Sequence, residues 1–166
     1  MTERQKFDLV KRIDNIEIRN YHQCVMADVI VDASYMNAAN LGFRPLVTYI
    51  SQNQIAMTAP VLQEQLHANS WVVSFVMPDG MKLEDLPLPK NQSVTLRTVK
   101  EHTCAVLGFS GMTTEAKLHQ KEAELRTAMT EANLMAIGPM RIARFDPPWK
   151  PGFMRYNEVI LAFSEK

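Results

Sequence analysis

Cys24-Val-Met-Ala-Asp-Val-Ile-Val31 is an apolar run with the length and β-branched content of a strand, and what lies on either side of it decides the fold. Asp32 or Ser34 can then cap a helix running to about Ile50, and after the polar Ser51-Gln-Asn-Gln54 two more strands follow, Ile55–Leu62 and Trp71–Met77. Upstream, Phe7–Ile13 and Ile16–Tyr21 alternate around the turn pair Asp14-Asn15 and read as a hairpin. Past the turn Met77-Pro-Asp-Gly80 and the aperiodic, proline-containing stretch Leu83–Gln92, the same order restarts. Val94–Val99 and Thr103–Ser110 read as a hairpin, Thr113 or Thr114 caps a helix from about Glu115 to Asn133, and Met140–Phe145 and Glu158–Phe163 are strands. Leu118, Leu125, Ala128, Met129 and Ala132 recur at helical spacing and give that helix one apolar stripe.

Cys24 and Cys104 open the strand before the helix in each half, which suits a duplication. The order predicts an α+β fold of duplicated strand-helix-strand units with pseudo-twofold symmetry. Neither half has enough strands to bury its own sheet, so the expectation is one curved, mostly antiparallel sheet or distorted barrel with two helices packed on it. One domain over residues 1–166, with pseudo-repeats at about 7–78 and 93–164, and a monomer, complete that expectation.

Composition narrows the partners. With 166 residues, 46% of them hydrophobic, the chain can bury a core without crosslinks. Its 18 basic residues balance 18 acidic ones without runs of either sign, which argues against nucleic acid, whose phosphates need a concentrated basic face. Met1–Lys11 alternates charged and polar residues unlike a signal peptide, and no segment is long and apolar enough to span a bilayer, so a cytoplasmic location and two reduced, buried thiols are expected.

Six stretches in order resemble the SOUL haem-binding family: Ile16-Glu-Ile-Arg-Asn-Tyr21; Gly42-Phe-Arg-Pro-Leu-Val-Thr-Tyr-Ile50; Ile55-Ala-Met-Thr-Ala-Pro-Val61; Val73-Ser-Phe-Val-Met-Pro78; Phe109-Ser-Gly111; and Phe145-Asp-Pro-Pro-Trp149 with Arg155-Tyr-Asn-Glu-Val159. The resemblance implies two pseudo-symmetric halves and binding of haem or a related tetrapyrrole, on a hydrophobic surface beside the first helix and the loop after the proline pair. Basic side chains would lie near the propionates. Lys150 matches one family lysine placed there; another is replaced by Thr48, leaving Arg44 as its substitute. Where some members have a histidine before the early-strand tyrosine, this chain has Asn20. The wider fold resembles gyrase-inhibitor-like effector-binding domains.

The residues offer a platform and a lid. Met36, Asn40, Phe43, Arg44 and Val47 fall near one another on the first helix, giving it more apolar circumference than one sheet contact needs; the alternative is that this face packs against the final loop. Gly42 and Pro45 predict a kink or break in that helix. In the loop to Arg155, prolines bracket Trp149, Phe153 and Met154, which become lid candidates, with Lys150 and Arg155 placed to meet carboxylates. His22, beside Tyr21, is the candidate axial ligand among the histidines, but no fixed histidine ligand is expected. Glu158 would serve a second reading, an effector module for a cationic or other amphipathic molecule, or else form a salt bridge to Arg155 or Arg141. A small hydrolase in the same cavity is a third reading, unsupported by any nucleophile, metal or phosphate-loop motif.

Overall fold

Asp14 at φ 52° and Asn69 at φ 58° adopt the left-handed conformation that short polar side chains tolerate, and each turns a hairpin. The structure is a computed structural model and describes residues 2–147 and 149–165. Its strands are β1 (Glu3–Arg4), β2 (Phe7–Ile13), β3 (Ile16–Tyr21), β4 (Cys24–Asp32), β5 (Thr58–Ala59), β6 (Val61–His67), β7 (Ser70–Val76), β8 (Val94–Val99), β9 (His102–Ser110), β10 (Leu134–Arg144) and β11 (Tyr156–Glu165). The helices are α1 (Tyr35–Gln52) and α2 (Glu115–Glu131). Ser34 stands at the N-cap of α1 without a side-chain bond, whereas the Thr114 hydroxyl of α2 accepts the Lys117 N–H.

Nine strands form one antiparallel sheet in the order β2-β3-β9-β11-β10-β6-β7-β4-β8, and β1 pairs with β5 in a short parallel strap. Outward from the β6–β10 seam the order is β6-β7-β4-β8 on one side and β10-β11-β9-β3 on the other. Each half therefore contributes its strands in the same order, related by a pseudo-twofold through the seam. The sheet is curved and open, not closed into a barrel, with β2 and β8 at its edges. The β8–β9 hairpin expected from alternation does not form. Instead β8 pairs with β4, Cys24 opposite Val99, and β9 pairs with β3, Ile18 opposite Ala105. Alternation fixes which side chains face the core but not which strand lies alongside, and the exchange of β3 and β8 gives each half a neighbour from the other.

Both helices lie on one face. Leu46, Tyr49 and Ile50 of α1 pack with Val73 and Phe75; Leu118, Leu125 and Met129 of α2 pack with Leu107, Val159 and Leu161. The opposite face carries Tyr21, Met26, Leu62, Cys104, Val106 and Ile160 as a cluster of its own. Helix α1 runs unbroken through Pro45, correcting the expected break. Gly42 has a packing reason: a Cβ there would lie 2.6 Å from the Val73 Cβ, so the glycine lets α1 settle against β7. Cys24 and Cys104 are free thiols on the helix-free face, and burial pushes both above the ordinary thiol pKa.

Candidate ligand-binding site

The first turns of α1, the β5 strap, the residues just before α2 and the chain leaving β10 surround a cleft of about 490 Å³ on the helix face near the seam. Its apolar wall is Met36, Phe43, Met57, Val61, Met112 and Phe145, and its polar side is Tyr35, Asn40, Thr113, Arg144, Arg155 and Asn157. Phe43 is held edge-on to Phe75, ring centroids 5.3 Å apart, while remaining 39% exposed. Arg144 donates to Thr113 Oγ1 at 3.3 Å, to Gln63 Oε1 at 2.7 Å and to the Tyr35 hydroxyl. Asn157 Nδ2 donates to the Gly111 carbonyl at 2.7 Å. Asp146 accepts from Lys150 Nζ at 2.9 Å and from the Tyr156 N–H at 2.6 Å; the lysine bond, then the backbone bond, hold its carboxyl below the usual range.

Of the residues singled out in the sequence, Met36, Asn40, Phe43 and Arg155 line this cleft. Arg44 is exposed and Val47 packs into the α1–sheet cluster, so neither lines it. Trp149 and Phe153 are 83% and 80% exposed and, with Met154, are not among the residues lining the cleft. Lys150 is occupied by Asp146, and Arg155 Nε donates to the Lys150 carbonyl at 2.8 Å, so these cations brace their own loop. Pro148, within the expected lid, lies outside the described residues. His22 bonds Asp8 at 3.0 Å beside the edge of the sheet and does not line the cleft; among the described residues no cluster of His, Cys, Asp or Glu could hold a metal. Tyr35, Arg144 and Asn157 were not singled out. The signal for Arg144 was available: it sits two residues after Ile142, on the apolar face of its strand, where an arginine needs a partner or a purpose.

Glu158 lies on the opposite face, in a second hollow of about 310 Å³ with Arg19, Tyr21, Phe7 and Tyr156. It is 2% exposed and both oxygens are bound, by Arg19 Nη1 at 2.9 Å, Arg19 Nη2 at 2.8 Å and the Tyr156 hydroxyl at 2.8 Å. Its salt-bridge partner is thus Arg19 rather than Arg155 or Arg141. Burial would lower the Arg19 pKa, but the bonds and charge of Glu158 with Tyr21 raise it above the ordinary arginine value. Burial pushes the Tyr21 hydroxyl up to about 12, and burial together with the Glu158 carboxylate raises Tyr156 further. Gly108, opposite Glu158 on β9, makes this network possible, because a Cβ there would lie 2.2 Å from the Tyr156 hydroxyl oxygen.

This arrangement, two pseudo-symmetric halves with an apolar cleft at their seam, is that of a ligand-binding module. The model of the family described as SOUL heme-binding protein matches residues 2–162, and the chain belongs to that family. Among solved structures, the fold is similar to the EcmrR C-terminal domain, with a TM-score of 0.73 at 10% identity over 91% of this chain and 98% of that one. A hydrolase from Listeria innocua matches with a TM-score of 0.64 at 16% identity, covering 93% of this chain and 94% of that one. SAV2435 bound to tetraphenylphosphonium matches with a TM-score of 0.56 at 8% identity, covering 90% and 93% of the two chains. No curated protein matches the sequence at a significant level. No helix of the described residues is long and apolar enough to cross a membrane.

Proposed function

We propose that this chain binds haem or a related tetrapyrrole in the cleft between α1 and the 145–155 loop, as a carrier, buffer or sensor acting as a cytoplasmic monomer. The whole chain, residues 1–166, would work as one unit of two pseudo-repeats. The observation that carries the reading is the cleft itself: about 490 Å³ falls within the roughly 300–1,000 Å³ usual for small-molecule sites, and a mostly apolar wall faces a few fixed polar groups. Membership of a haem-binding family points the same way.

The donor set fits a macrocycle held chiefly by burial. Phe43 and Phe145 offer aromatic faces, Met36, Met57 and Met112 adaptable ones, and Arg144 and Arg155 cations. Among the described residues the lining holds no histidine or cysteine, and the Tyr35 hydroxyl is taken by Arg144, so no fixed axial histidine is proposed. The balanced charge favours a small ligand over nucleic acid. The Glu158-centred reading, an effector module for a cation, is weakened because Arg19 already neutralises that carboxylate.

Titrating the protein with haem and following absorbance tests the proposal. A saturable Soret shift that weakens in Phe43→Ala supports it, whereas binding of tetraphenylphosphonium without any Soret shift would favour the cationic effector.

A further inference from the structure

Arg144 is a half-buried cation whose partners are all neutral. Its hydrogen bonds go to Thr113, Gln63 and Tyr35, and among the described residues it forms no salt bridge. A guanidinium carries five N–H groups, so these three bonds leave one N–H on each terminal nitrogen for a further acceptor such as a carboxylate. A charge drawn from water without a counter-ion is costly, and an anion arriving with the ligand would offset that cost. The cleft's own acid, Asp146, does not serve, because Lys150 and the Tyr156 N–H already hold it.

We propose that Arg144, aligned by Tyr35, Gln63 and Thr113, makes the cleft floor a carboxylate subsite, so that its ligand is an amphipathic acid that enters acid-first with its apolar body against Phe43. The inference rests on the cleft being the binding site and deepens it, since it fixes the charge and orientation of what binds. It also reverses the arrangement in which Lys150 meets the acid groups at the loop, because Lys150 does not line the cleft. A permanent cation in the same cleft would face the uncompensated charge of Arg144, so tetraphenylphosphonium should be disfavoured.

The test compares protoporphyrin with its dimethyl ester, and both with tetraphenylphosphonium, on the wild-type protein and on Arg144→Gln, Arg144→Lys and Phe43→Ala. Wild type should prefer the diacid to the ester by about tenfold or more, the range for a hydrogen bond to a charged group. Arg144→Gln should abolish that preference and Arg144→Lys should keep part of it, since the charge survives without the fork. Phe43→Ala should weaken diacid and ester equally and leave their ratio intact. Reading the ratio separates the charge from any loosening of the floor when the bonds to Tyr35 and Gln63 are lost. Wild type binding both forms equally, preferring the phosphonium, or an unchanged ratio in Arg144→Gln overturns the subsite while leaving the cleft standing. If Phe43→Ala changes no affinity, the cleft itself is not the site and the subsite falls with it.

Discussion

Glu158, a candidate binding residue by sequence, has both oxygens held by Arg19 and the Tyr156 hydroxyl. The Glu158–Arg19 pair is buried. Glu158→Gln removes one of two carboxylates on Arg19, with Glu17 at 2.8 Å remaining as the other, so it should lower stability by about 1 to 3 kcal/mol in urea unfolding and leave haem affinity at the cleft unchanged. A nearly unaltered midpoint with loss of cation binding would mark Glu158 as a ligand residue instead. At the cleft, Phe43→Ala removes a large, partly exposed ring and should weaken tetrapyrrole binding by about 1 to 2 kcal/mol with a smaller change in stability, as read by parallel titration and melting. Asp146 adds a pH dependence. Its folded pKa is depressed by Lys150 and the Tyr156 N–H, so its contribution is fully present above the unfolded value of about 3.9 and is lost as pH falls through the lower folded value. Asp146→Asn should therefore be less stable than wild type at neutral pH, and the two stabilities should converge under acid conditions below that window.

At the scale of elements, Gly42 sets how closely α1 lies on β7. Gly42→Ala would push a methyl into Val73 and should destabilise by about 1 to 3 kcal/mol, and Val73→Ala in the same chain should recover part of that loss, a coupling that a double-mutant cycle measures. Additive losses would show that the contact is not what requires the glycine. Element order was legible in the sequence because periodicity is local: both helices, the β2–β3 hairpin and the strand order of the two halves follow from it. Strand partners were not, since β8 and β9 are adjacent in sequence yet pair across halves. The site divided along the same line. Met36, Asn40 and Phe43 lie on one helical face and could be grouped by spacing, whereas Arg144 and Asn157 meet α1 only through the tertiary fold. Prolines mark a stiff loop without saying which way its aromatics point, and Trp149 and Phe153, largely exposed, are not among the residues that line the cleft.

At the scale of the molecule, the two halves are stitched together in three places. Strand β3 of the first half lies on β9 of the second, β8 of the second half lies on β4 of the first, and β6 meets β10 at the seam. Arg144 crosses the same seam through side chains, tying Thr113 before α2 to Gln63 on β6 and Tyr35 on α1. The cleft draws its walls from both halves, so a ligand there should stabilise them together, and at a hundred times its dissociation constant it should add about 2.7 kcal/mol to global unfolding. The same stitching predicts that a half cannot stand alone. A fragment of residues 1–92 would keep β4, β6, β7 and α1 but lose the neighbours of β3, β4 and β6, exposing three strands' unpaired edges and the seam side of the core. Unpaired edges of that kind recruit other chains, so the fragment should be unfolded or aggregated by circular dichroism and sedimentation, and mixing it with residues 93–166 should restore native strand content. A monomeric, cooperatively melting 1–92 fragment would show instead that the repeats are independent folding units and that the exchange of β3 and β8 is a later ornament rather than the bond between them.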